Sequence, residues 1–164
     1  MPRPRRMVDN GGEFEDPLKR YDAPGPQDAL ERALLADRVT DLPCRPFETV
    51  EAGDPIKQVI RLMAQRGIAS VLVLDGEQLV GVFSERDVLN RLVDRYDELS
   101  DVPVREFMTV DPVVVYETAS PAKALNLMAT GGFRHVPIVD VDHRVVGVLG
   151  PRRILNYLMQ LLPE

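Results

Sequence analysis

The chain says nearly the same thing twice. Pro46, Glu51, Pro55 and Lys57 return 66 positions later as Pro112, Glu117, Pro121 and Lys123. At a spacing of 65, Leu62-Met63-Ala64, Gly67, Val71 and Asp75 return as Leu127-Met128-Ala129, Gly132, Val136 and Asp140. Back at 66, Val80-Gly81-Val82, Arg86, Leu89-Asn90 and Leu92 return as Val146-Gly147-Val148, Arg152, Leu155-Asn156 and Leu158. The slip corresponds to one residue lost in a helix and one gained in the turn that follows. A repeat of this size and evenness dictates two tandem copies of one small unit.

Each copy follows one script. A short extended segment (Pro46 to Val50; Pro112 to Tyr116) precedes Asp54-Pro55 or Ser120-Pro121, an N-cap followed by proline at the first helical position. Ile56, Val59, Ile60 and Met63 then fall at helical spacing, as do Ala124, Leu125, Leu127 and Met128. Gly67 and Gly132 stand where a left-handed helix terminus is usual. Two β-branched runs follow, Ser70 to Leu74 and Leu79 to Phe83, with a hairpin turn at Asp75-Gly76; the second copy offers Val136 to Val139 and Arg144 to Leu149. A last helix closes each unit, from Glu85 to about Val93 and from Pro151 to about Leu162. The expected class is therefore α/β of the α+β kind. One small sheet with two helices cannot bury both faces, so two β-α-β-β-α repeats should pack sheet to sheet about a pseudo-twofold axis. The expected division is a flexible N-terminal tail with a short helix over 1–38, the first repeat over 39–93, a crossover loop over 94–103 with room for one helical turn, and the second repeat over 104–164. The tail helix starts at Asp28 as N-cap and runs to about Asp37, with Leu30, Leu34 and Leu35 on one side, against the main body or a second chain.

Composition removes several function classes. At 164 residues and 45% hydrophobic the chain can fill one compact domain. No apolar run reaches the roughly 18–20 residues that cross a bilayer. The basic start through Arg3, Arg5 and Arg6 leads into no apolar stretch, unlike a secretory signal, so a cytoplasmic location is expected. These arginines read as a solvated tail, or as a local contact for an acidic partner. The single cysteine, Cys44, excludes an internal disulfide framework and a cysteine-rich metal site, and reads as a buried small residue. His143 reads as an exposed turn residue, and no metal is expected. A net charge of −6 argues against a general nucleic-acid surface. No nucleophile–base arrangement, phosphate-binding loop or dinucleotide fingerprint is present, so no enzyme activity is expected.

Several markers in order resemble a tandem pair of CBS domains, the adenosine-ligand-binding arrangement also called a Bateman module. They are Gly81-Val82-Phe83-Ser84-Glu85-Arg86-Asp87, Phe107-Met108-Thr109 leading into Pro112, Gly132-Phe133-Arg134-His135-Val136-Pro137-Ile138-Val139-Asp140, and the doubling itself. The resemblance covers about residues 39–162. It implies that the aspartate of a Ser/Thr-x-x-Asp motif, between the last strand and last helix, holds the ribose hydroxyls of an adenine nucleotide. It also implies that main-chain groups and apolar side chains sandwich the base, and that basic residues of the opposite copy face the phosphates. A carboxylate suits the first role because it accepts hydrogen bonds from both hydroxyls.

On that pattern the two clefts differ. Cleft one combines Ser84 and Asp87 with Arg134, His135, Val136 and Pro137. Cleft two combines Gly150-Pro151-Arg152-Arg153 with Ala69-Ser70-Val71-Leu72. There Arg153 replaces the aspartate, Gly150 removes the hydroxyl, and no basic residue stands where Arg134 and His135 do. An arginine accepts no hydrogen bond, so one nucleotide per chain is expected, with Arg153 a candidate to fill cleft two. Competing readings stand beside these. Ser84-Glu85-Arg86-Asp87 is close to a capping box, which alone would account for both ends, although capping and ligand binding can coexist. Arg134 and His135 can equally be an exposed strand end.

The resemblance implies a regulatory module for AMP, ADP, ATP or S-adenosylmethionine, acting through an effector protein or self-association. A homodimer through its helices is expected (Leu155, Leu158, Leu161 and Leu162 on the last). The alternative is a scaffold or oligomerisation module with an empty cleft.

Overall fold

The computed structural model of the chain describes Gly25 and residues 28–162. The expectations for Arg3, Arg5, Arg6 and the rest of the tail before Asp28, Gly25 apart, lie outside the described residues. Helix α1 (Ala29–Ala36) opens the fold, with Asp28 accepting the Glu31 N–H at 2.7 Å as its N-cap. The first copy comprises β1 (Thr49–Glu51), α2 (Ile56–Arg66), β2 (Ser70–Asp75), β3 (Gln78–Ser84) and α3 (Glu85–Arg91). One helical turn, α4 (Tyr96–Leu99), lies in the crossover. The second copy comprises β4 (Thr109–Val110), β5 (Val115–Tyr116), α5 (Pro121–Gly131), β6 (Val136–Val139), β7 (Val145–Leu149) and α6 (Pro151–Met159).

Among the described residues the strands form two sheets, β1-β2-β3-β4 and β5-β6-β7. In both, the entering strand is parallel to the next and the hairpin is antiparallel. Each sheet covers its own core. The first gathers Ile56, Val59, Met63, Val71, Val73 and Phe83, and the second Ala124, Met128, Val136, Ile138, Leu149 and Ile154. The sheets meet through Leu72 and Val82 of one and Val148 of the other, flanked by Phe47, Leu79 and Val145. Two β-α-β-β-α repeats about a pseudo-twofold axis are thus the fold.

The copies exchange arms. Val39, Leu42 and Cys44 precede the first copy's strands yet are buried in the second copy's core. Val104, with Phe107 and Met108 packed against it, precedes the second copy's strands yet lies in the first copy's core. Each arm also pairs along the edge of the other copy's sheet before it reaches its own. Strand β4 pairs Thr109 with Val82 and Val110 with Gly81, and on the other side the Val148 N–H donates to the Cys44 carbonyl at 3.1 Å. The crossing leaves no room for side chains at two glycines. A Cβ on Gly147 would stand 2.8 Å from Cys44 Sγ, and one on Gly81 would overlap Met108. These arms carry the chain through the two clefts.

Gly67 and Gly132 end α2 and α5 with φ of 62° and 67°, as the sequence predicts. Ser120 caps α5 and accepts the Lys123 N–H. Three local expectations are corrected. Asp54 does not cap α2: its Oδ2 accepts the Glu51 N–H at 3.0 Å, while the Ile56 and Lys57 N–H groups donate to the carbonyls of Val102 and Ser100 in the crossover. The orphan donors at the helix start are satisfied by tertiary structure instead. The first hairpin turns at Gly76-Glu77, one residue later than expected, because Asp75 still pairs with Gln78. On α1 the buried residue is Ala33, and Leu35 remains 54% exposed. Helix α1 packs on α5, and Tyr157 on α6 donates its hydroxyl to the Asp37 carboxylate at the helix end.

Candidate functional site

The loop between β3 and α3 ends a buried strand and starts a helix. Asp87, in the first turn of α3, is 7% exposed and is the buried charged residue of the described chain. Its Oδ2 accepts both the Ser84 N–H at 2.9 Å and the Ser84 hydroxyl at 2.7 Å. This satisfies a donor at the helix N-terminus and places negative charge at the positive end of the dipole. Oδ1 makes no such bond. Since no buried side-chain oxygen among the described residues lacks a partner, Oδ1 reaches open space. One carboxylate therefore caps with one oxygen and presents the other.

That space is a cleft of about 560 Å³ between the copies. Ser84 and Asp87 line it from the first copy, Arg134 and His135 from the second. The structure brings these four sequence-predicted residues to one cavity. It does not bring Val136 and Pro137 to the wall: both are buried inside β6, where the sheet is covered on both faces. The wall also holds residues that sequence reasoning passed over. Thr109, Val110, Asp111, Pro112 and Val113 form one side, and Arg86 adds a basic side chain. Ala69, Pro151 and Arg152, which the sequence assigns to cleft two, also line this wall, so that assignment is corrected: the start of α6 borders cleft one, and only Arg153 turns into cleft two. A signal for the first group existed, since Thr109 to Pro112 is the second-copy counterpart of the arm Pro43 to Pro46. Asp111 sits at φ 45°, in the left-handed region, at the point where the arm turns past the cleft. Across the rim, Arg86 Nη1 donates to the Gly132 carbonyl at 3.4 Å and ties the copies together.

The electrostatics are mixed. Arg86, Arg134 and Arg152 face the cleft together with Glu85, Asp87 and Asp111. Burial pulls the His135 pKa below its ordinary 6.5, and the nearby Arg153 and Arg134 charges pull the same way against the opposing pull of Glu85. His135 is therefore neutral near pH 7. Gly150 lets it approach: a Cβ there would stand 3.3 Å from the imidazole Cδ2 and 3.2 Å from the Arg134 carbonyl.

Cleft two has another content. Arg153 Nη1 donates to the carbonyls of Pro43 at 3.0 Å and Val148 at 3.3 Å, and Nη2 donates to that of Pro46. Arg45, the counterpart of Asp111, donates through Nε to the Val146 carbonyl at 2.9 Å. Two acids of cleft one are thus arginines here, both spent on main-chain oxygens. A smaller cavity of about 370 Å³ is lined by Thr40, Leu42, Pro43, Cys44 and Arg45 of the arm with Glu117 and Val146, and not by Gly150, Arg152 or Arg153. Among the described residues no cluster of His, Cys, Asp or Glu is placed to hold a metal ion, and no helix is long and apolar enough to cross a membrane.

Two interlocked copies share one cleft, with a carboxylate of one and guanidinium groups of the other on its walls. The chain belongs to the CBS domain family, whose model matches residues 39–94 and 104–160. The "Uncharacterized 17.7 kDa protein in bps2 3'region" of Acidianus ambivalens is 27% identical over 128 residues, 77% of this chain and 76% of that protein. Inosine-5'-monophosphate dehydrogenase of Methanocaldococcus jannaschii is 33% identical over 131 residues, 79% of this chain, which spans only 25% of that enzyme. Among solved structures, the CBS domain protein PAE2072 from Pyrobaculum aerophilum, complexed with AMP, matches with a TM-score of 0.65 at 27% identity, over 75% of this chain and 98% of that one.

Proposed function

We propose that the chain is a regulatory module that binds one adenosine-containing ligand (AMP, ADP, ATP or S-adenosylmethionine) in cleft one and catalyses no reaction of its own. The observation that carries this reading is the Asp87 carboxylate, anchored through Oδ2 and open at Oδ1, in the same cavity as Arg134 and His135 of the other copy. A ribose diol suits the open oxygen, and phosphate or carboxylate groups suit the Arg134 guanidinium, with His135 beside it as a neutral N–H donor. The AMP complex of a related CBS domain protein supports an adenine nucleotide. In cleft two Arg153 stands in place of the carboxylate, which supports one ligand per chain.

A ligand that touches both copies favours whichever relative placement it binds more tightly, and only to the extent of that difference. The signal then passes to a partner protein or to a second copy of the chain, in the cytoplasm. A homodimer is supported by the repeat-related positions Leu89 on α3 and Leu155 on α6, 69% and 57% exposed, with Met159 beside the latter.

Isothermal titration calorimetry of the purified chain with AMP, ATP and S-adenosylmethionine tests the proposal. The expected result is binding near one per chain, lost in Asp87→Ala and kept in Arg153→Ala. Absence of heat and of thermal shift with all three rejects it in favour of a scaffold or oligomerisation module.

A further inference from the structure

The three carbonyls that Arg153 engages belong to Pro43, Pro46 and Val148. Their repeat counterparts, 66 positions away, are Thr109, Pro112 and Val82. All three counterparts line the open cleft beside Asp87. The guanidinium therefore stands in cleft two where, by the internal symmetry, cleft one keeps space for a ligand. It is planar, rich in N–H donors, and bonded to oxygens of both copies, which is what a bound ligand would be.

We infer that Arg153 is a built-in ligand: cleft two is a guanidinium-binding site occupied by the chain's own side chain. The crossing arm at Pro43 to Pro46 is held shut in every state of the module. The crossing arm at Thr109 to Val113 has no such side-chain clamp, since Asp111 is an acid where Arg45 is a donor. The module is then asymmetric by construction. One crossing is a fixed pivot, and only the crossing beside Asp87 is open to control by a small molecule. The number of N–H groups matters: a guanidinium offers five donors in a rigid fork, whereas a lysine ammonium at the end of a flexible stem does not match three fixed carbonyls.

This inference rests on the occupancy of cleft two alone and stands even if cleft one binds nothing. The test is chemical rescue of the full chain with Arg153→Ala, followed by thermal melting and by hydrogen exchange of the peptide spanning residues 42–50. Losing charge-assisted bonds to three carbonyls should lower the melting temperature by about 4 °C or more and speed exchange in that peptide. Millimolar methylguanidinium should restore at least half of both losses, while methylammonium at equal concentration should not. Arg153→Lys, which keeps the charge, should melt closer to the alanine variant than to the original chain. Failure of methylguanidinium to restore a destabilised Arg153→Ala, an unaltered melt for that variant, or full replacement by lysine would overturn the inference. Should Arg153→Ala prove too unstable to handle, the melt of Arg153→Lys decides by itself: clear destabilisation supports the inference and a melt equal to that of the original chain overturns it. Absence of nucleotide heat in the unmodified chain, by contrast, rejects the function proposed for cleft one and leaves the rescue result unaffected.

Discussion

Replacing Asp87 by asparagine separates its two roles. As a cap, Asp87 accepts the Ser84 N–H and hydroxyl through one oxygen. Asparagine keeps one carbonyl oxygen that can accept from the same donors, so the cap survives in weakened form. The loss of charge at the helix start costs about 0.3–1 kcal/mol. Weaker acceptance of two hydrogen bonds brings the total to about 1–2 kcal/mol, or roughly 2–8 °C in melting temperature for a domain of this size. As a ligand group, the carboxylate offers Oδ1 to a ribose diol. Each hydrogen bond to a charged acceptor contributes about 1.5 kcal/mol at the low end, so two lost bonds amount to about 3 kcal/mol and roughly 100-fold in affinity. An amide nitrogen in that place donates where it should accept. Asp87→Ala removes both roles and should cost about 2–3 kcal/mol of stability as well. Differential scanning fluorimetry and calorimetry on the two variants read the two effects side by side. A small drop in melting temperature with a large loss of AMP affinity in Asp87→Asn is expected. An equally destabilised Asp87→Asn that binds AMP as tightly as the parent would refute the ligand role and leave Asp87 a cap.

Other consequences are as direct. His135 has a pKa held below 6.5 by burial first, so the unfolded chain binds the extra proton; stability is complete above about pH 6.5 and declines as pH falls, and His135→Gln should flatten that decline in melting curves. Because an anionic group beside His135 favours its protonated form, AMP affinity measured by calorimetry should rise between about pH 8 and pH 6, and this rise should vanish in His135→Gln. Tyr157 is pushed up to about 12, first by its bond to Asp37; Tyr157→Phe should lower the urea midpoint by about 1 kcal/mol equivalent, a difference present below about pH 10 and lost as pH passes about 12. Gly147→Ala drives a Cβ into Cys44 and should cost about 1–3 kcal/mol, whereas Gly132→Ala meets open space and should cost only the left-handed backbone term of about 1–2 kcal/mol, measurable by denaturant titration. Leu155→Glu should convert a homodimer to monomer in sedimentation velocity; an unchanged sedimentation coefficient would place any dimer elsewhere.

The architecture was legible because two copies give every signal twice. The helix-ending glycines, the Ser120-Pro121 start and the β-branched runs each report local chemistry, and local chemistry decides those elements. Asp54 misled because a sequence shows which side chain can cap, not that the crossover would bring the carbonyls of Ser100 and Val102 to the same donors. The exchanged arms were hidden for the same reason: nothing near Val39 or Val104 says that each is buried in the other copy's core. In the cleft, Ser84, Asp87, Arg134 and His135 were readable as chemistry that departs between copies. Thr109 to Val113 were not, because nothing local in an extended arm says that it runs along the wall of a cleft. Their counterparts in cleft two reveal them, through the carbonyls that Arg153 takes.

A crystal structure of the chain grown with AMP tests the central claim most directly. The account requires one nucleoside per chain, its ribose on Asp87 Oδ1 and its phosphate toward Arg134 and His135, with the Arg153 guanidinium still seated on Pro43, Pro46 and Val148. A nucleoside beside a displaced Arg153, with Asp87 engaged only by Ser84, would contradict it.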